Sequence, residues 1–222
     1  MSGIRKWISL IWGLFVFFLV GAYLWLPRSD IWKSKEFPVL HSKFILLVLI
    51  LAVLSHIFFR ERPSKIGFKP DSLKKCFSER MEQVIGLSGL LIFCGFYLGR
   101  LGGEFFERGG FWFLVQYCIF GFAQQYVLNG FFVNRLSVFY GESGAKRIPF
   151  IAASAFSFLH FPNPLLCLAT FIGGYFCAKI FLEYRNLYFL GLAHGLIGFF
   201  LFFAFPQWIT ASFATGIKFF YG

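Results

Sequence analysis

Seven stretches of this chain are too long and too apolar to be loops. They fall at about residues 7–26, 41–59, 84–101, 111–139, 148–161, 164–183 and 187–205. Several reach the roughly 20 residues that a helix needs to cross a bilayer. In lipid the backbone must satisfy its own hydrogen bonds, which restricts spanning structures to helices and closed barrels. Continuous runs of this length select helices. Composition agrees: 58% of the 222 residues are hydrophobic, 36 are Phe, and the mean hydropathy is +0.71. The predicted fold class is all-α, a polytopic transmembrane helical bundle of about 7–8 spans. The eighth would be residues 207–221, short enough to read either as a span or as an interfacial helix.

The formal net charge is +11. Its basic residues are spread over the loops between apolar segments, not gathered on one soluble face, so the partner they imply is anionic lipid and not nucleic acid. Arg60, Arg62, Lys65, Lys69, Lys74, Lys75, Arg80, Arg135, Lys146, Arg147 and Arg185 would mark the inner side. Arg28, Lys33, Lys35, Lys43, Arg100, Arg108 and Lys218 would lie outside. The excess predicts a cytoplasmic N-terminus. The basic start and long apolar run at residues 1–26 read as a retained first span rather than a cleaved signal. Residues 1–59 are expected to form two N-terminal spans and 60–222 the remaining core. Within that core the polar stretch 60–83 suggests a partly amphipathic surface helix. Five cysteines without a CxxC read as reduced packing residues, so neither a disulfide framework nor a zinc site is expected.

Polar side chains inside a bilayer need a partner or a cavity. Segment four holds Gln116, Gln124, Gln125, Asn129 and Asn134; segment five ends near His160, and segment seven contains His194. His41 and His56 lie near the two ends of segment two and read as interfacial. At about 1.5 Å per residue, Gln124, His160 and His194 can all meet at middle depth. Taken singly, each is most simply interhelical glue worth about 0.6–2 kcal/mol. Two histidines beside an adjacent pair of glutamines make a less ordinary set. Gly191, Gly195 and Gly198 give segment seven a small-residue face suited to close helix approach.

The order of these residues resembles the CAAX protease and bacteriocin-processing family (CPBP, or Abi) of intramembrane endopeptidases. That family carries EExxxR, then FxxxH, then HxxxN. Here the second motif is Phe156-Ser-Phe-Leu-His160 and the third begins at His194 in "LGLAHGLIG". The first motif departs, with Gln124-Gln125-Tyr-Val-Leu-Asn129 where EExxxR is expected, and Gly198 replaces the last asparagine. The resemblance, spread over roughly residues 60–205, implies catalytic roles for His160, His194, Gln124 and Gln125, and substrate contacts from Asn129 and Phe156. The substrate it implies is a membrane-anchored peptide or protein tail, handled in a bacterial or archaeal inner membrane. No cofactor is expected, and no metal, because the two histidines lack the usual third carboxylate or thiolate ligand.

A carboxamide cannot take a proton from water as a glutamate can. No Asp or Glu sits in the middle of an apolar segment, and Glu183 and Glu142 lie at membrane edges. Replacing a Glu–Arg pair by Gln–Asn keeps the pocket neutral, since a lone buried charge would be costly. Two readings follow: a divergent peptidase with a histidine base, or a catalytically silent relative that binds peptides or partner membrane proteins. A third, a haem held by His160 and His194, requires only two histidines on different spans.

Overall fold

The computed structural model describes residues 3–25, 37–98, 110–216 and 218–221, and every described element is helical. Helices α1 (Gly3–Trp25) and α2 (Phe37–Phe59) cover the first two apolar segments. A single turn, α3 (Pro63–Ile66), and a 3-10 turn at Pro70–Ser72 lead into α4 (Leu73–Tyr97). Helix α5 spans Gly110–Tyr140 and is wound as a π-helix over Tyr126–Val133. Then come α6 (Ile148–Phe158), α7 (Pro164–Tyr184) and α8 (Leu187–Ala204). The tail holds only α9 (Gln207–Thr210), a 3-10 turn at Ala211–Phe213 and α10 (Lys218–Tyr221).

Five helices, α1, α2, α5, α7 and α8, are long and apolar enough to cross a membrane, and α6 is apolar but shorter. The later part of the surface helix expected in 60–83 and the described part of the span expected at 84–101 form one helix. No proline interrupts residues 73–97, so α4 runs on from a first half whose Lys74, Lys75, Glu79 and Glu82 are exposed. Residues 207–221 do not form an eighth span. Asn163 holds the carbonyls of Thr210 at 2.9 Å and Ala214 at 3.2 Å, and the chain between them turns through positive φ at Ala211, Ser212 and Phe213. Arg28, Lys33, Lys35, Arg100 and Arg108, expected on the outer side, lie outside the described residues.

Between lipid-facing helices there is little hydrophobic drive, so close packing and polar contacts must supply the association. Helix α8 packs against α5 and α4, α6 packs against α7, and α1 lies along the end of α5. The α5–α8 crossing is set by glycine. A Cβ on Gly195 would fall 2.5 Å from the Cα of Cys118, and one on Gly121 would fall 2.9 Å from the Gly195 nitrogen. No larger residue fits without separating the helices. Beyond the crossing, Phe113 packs edge to face on Phe202 and Phe203, and Phe199 does so on Phe203 with centroids 5.1 Å apart. Each such pair adds about 0.5–1.5 kcal/mol.

Asparagines fix both ends of the α7–α8 hairpin. Asn163 accepts from the Leu166 N–H at 3.1 Å and caps α7. Asn186 accepts from Phe189 at 2.9 Å, caps α8, and donates to the Lys69 carbonyl at 2.8 Å. Such caps contribute about 1 kcal/mol each.

A charged cluster ties the first two helices to α5. Glu61, 3% exposed, accepts from the fully buried Arg135 Nη2, and its Oε2 lies 2.7 Å from His56 Nδ1. The Arg135 guanidinium also stands 4.3 Å over the Phe59 ring. From α1, Ser9 donates to the Arg135 carbonyl at 3.3 Å. His56, read as interfacial from its place near a segment end, is buried in this cluster. Burial alone would raise the Glu61 carboxyl, but its hydrogen bond to His56 and the charge of Arg135 outweigh that and hold it below its ordinary value.

Candidate active site

The glycine-set crossing of α5 and α8 brings Gln125 to His194. Gln125 Nε2 donates to His194 Nδ1 at 2.8 Å, and Asn129 Nδ2 donates to Gln125 Oε1 at 2.5 Å. Donation runs one way along this chain, from Asn129 through Gln125 to the imidazole. A neutral histidine that accepts at Nδ1 carries its proton on Nε2. Gln125 and Asn129 are fully buried. Both lie at or inside the start of the π-helical stretch, a winding often met at functional sites.

His160 is held in the opposite tautomer. Its Nδ1 donates to the Phe156 carbonyl at 2.7 Å, one helical turn back. The carbonyl can only accept, so the lone pair of neutral His160 is on Nε2. The Phe156 ring touches both imidazoles, with centroids 4.7 Å from His160 and 6.0 Å from His194.

A cavity of about 260 Å³ opens beside this assembly. Gln124, Phe156 and His160 line it, whereas Gln125, Asn129 and His194 do not. The sequence-predicted residues therefore fall into two connected layers. Gln124 and His160 face open space; the Asn129–Gln125–His194 chain stands behind, joined to the front through Phe156. Asn129, expected to touch substrate, is instead sealed beneath Gln125.

The opposite wall was not anticipated. Phe17 and Tyr23 from α1 and His41, Phe44 and Val48 from α2 complete the cavity. His41, read as interfacial, belongs to the cavity wall. Its position near a segment end gave no sign of this, because nothing in a single sequence pairs α2 with α5 and α6. Among the described residues no carboxylate lines the cavity, and no cluster of three His, Cys, Asp or Glu side chains could hold a metal. The five cysteines are unpaired with one another.

The arrangement supplies one imidazole able to accept a proton, a second behind it able to donate a hydrogen bond, and a neutral amide facing a mostly apolar hollow. Residues 106–200 match the family model described as type II CAAX prenyl endopeptidase Rce1-like. The segment holds all three motif positions, so the resemblance read from them holds there. Comparison with curated proteins and with solved structures gives no match. Five helices long and apolar enough to cross a membrane, together with the match over residues 106–200, make the chain an integral membrane protein.

Proposed function

We propose that this chain, Rce1-like over residues 106–200, is an intramembrane endopeptidase that cleaves a membrane-anchored peptide or protein tail with histidine as its base. The observation that carries this reading is the tautomer of His160. Its Nδ1 is fixed on the Phe156 carbonyl, which leaves Nε2 to take a proton at the cavity. On this reading water loses a proton to His160 Nε2 and its oxygen attacks the scissile carbonyl. The Gln124 amide donates to the developing oxyanion. His160 then returns the proton to the leaving nitrogen as the C–N bond breaks. His194, held by Gln125 in the layer behind, keeps its proton on Nε2, and Asn129 sets the direction of that chain. Residues 60–222 would be the peptidase core, with the helices of 1–59 adding a wall. The setting is the inner membrane of a bacterial or archaeal cell, N-terminus inside.

A second reading, a silent relative that binds anchored peptides without cleaving them, is favoured by one observation: no carboxylate lines the cavity among the described residues. The two separate in proteoliposomes with octadecyl-anchored fluorogenic peptides. Turnover that falls at least about 100-fold in both His160→Ala and His194→Ala supports the peptidase. Saturable binding with no product supports the silent relative.

A further inference from the structure

The cavity lies toward one end of the bundle. Its wall takes Leu24 from the last turn of α1, Ile45 from the first half of α2, His160 from just beyond α6 and Thr215 from the tail. Toward the other end the same helices close. Val16, Ala52 and Phe132 are buried, and the ring centroids of Phe17 and Phe132 lie 4.1 Å apart. Further along stands the charged cluster of Glu61, Arg135 and His56, tied to Ser9 in the first half of α1. An apolar layer and then a charged one separate the cavity from that end.

The closed end is also the basic one. Arg5 lies in the first turn of α1, Arg60 and Lys65 follow α2, Lys146 and Arg147 precede α6, and Arg185 joins α7 to α8. Exposed Trp7 near this end, and Trp112 and Trp208 near the other, mark the two membrane interfaces. Loops with such a basic excess face the cytoplasm, which turns the cavity to the opposite side. A peptide displayed in the cytoplasm would reach Gln124 and His160 only by carrying unpaired amide groups through lipid or by parting the buried ion pair, and both are costly. One displayed on the outer face meets neither barrier. We propose that the cavity takes its ligand from the outer face of the membrane: an exported peptide or protein segment on an apolar anchor, not a cytoplasmic tail. The inference rests on the peptide-handling, N-inside reading above but not on turnover.

The test presents a photoreactive, octadecyl-anchored, charged hexapeptide to the full chain in spheroplasts and in inverted membrane vesicles. Orientation is read in the same preparations with a membrane-impermeant maleimide on Trp208→Cys and Lys146→Cys, both exposed positions; the wild type gives the background of native cysteines. Trp208→Cys should be labelled in spheroplasts and Lys146→Cys in inverted vesicles. Cross-linking from the outer face should exceed that from the inner face about tenfold or more, because a charged peptide stays on the side of addition. Ala123→Trp and Val20→Trp, which fill the cavity from α5 and from α1, should each remove most of the outer-face product. Cross-linking from the inner face, or equally from both, with this orientation kept would overturn the inference. So would product that survives both fillings. Lys146→Cys labelled in spheroplasts would overturn the N-inside reading and the inference with it. Outer-face cross-linking without cleavage removes the peptidase reading alone. No cross-linking from either face overturns both.

Discussion

At the end of α2, Glu61, Arg135 and His56 form a buried cluster that keeps formal charge. One stretch of α5 earlier, Asn129, Gln125 and His194 form a buried chain of neutral donors and acceptors. Both are sheltered among phenylalanines, and both join helices distant in sequence. They differ in what a single lost partner would leave behind. In the first it is an uncompensated charge; in the second it is one unmade hydrogen bond. The bundle holds charge where a partner and a backbone tie from α1 fix it in place, and has only amides at Gln125 and Asn129. The second centre can therefore sit beside an open cavity without a large penalty for imperfect pairing.

The contrast can be broken most forcefully at Arg135. Arg135→Ala strands Glu61 in a buried site and should cost about 3–5 kcal/mol of stability in SDS-induced unfolding. The double variant with Glu61→Ala should cost much less than the sum. A smaller effect is expected from charging the neutral centre. Gln125→Glu replaces the donor that His194 Nδ1 accepts from, and should cost about 2–3 kcal/mol in the same unfolding measurement. Adding Asn129→Arg should return more than half of it, and a coupling energy near zero would show that the two sites do not sense each other.

Acid should discriminate between the centres more gently. The Glu61 carboxyl is held below its ordinary value of 4.5. The stability it contributes is therefore fully present above that pH and lost as pH falls through the lower folded-state value. Thermal melts of the wild type should decline below about pH 4.5, and those of Glu61→Gln should show a shallower acid limb. The smallest effect is expected at the rim. Lys65 approaches Glu61 at 3.8 Å but is 52% exposed, so Lys65→Gln should shift stability by less than about 1 kcal/mol in thermal melts.

Most of the helices were legible in the sequence because lipid demands long apolar runs, and their periodicity needs no tertiary context. The amides at 124, 125 and 129 and the histidines at 160 and 194 stood out for the same reason: polar groups in such runs need partners. The partnerships themselves were less legible. That Gln125, not Gln124, meets His194 depends on the rotation of α5 against α8 at Gly121 and Gly195. Glu61 looked like one more loop charge in "RERPSK", and nothing local revealed that it folds back beneath Arg135, 74 residues away. His56 and His41 were placed by distance from segment ends, a rule blind to which neighbour covers them. The tail, open in the sequence between a span and an interfacial helix, is tied down by Asn163 through bonds of 47 and 51 residues' separation.

The wide winding over Tyr126–Val133 begins within the neutral centre, with Gln125 just before it and Asn129 inside it, and ends just before Arg135. Each residue of an α-helix advances the facing direction by about 100°, so a single deletion in this stretch would re-phase everything downstream and nothing upstream. Gln125 would still look toward α8, while Arg135 would swing away from the carboxylate it neutralises. The π-helical stretch acts as a vernier, letting one rod keep two appointments that an evenly wound one would miss.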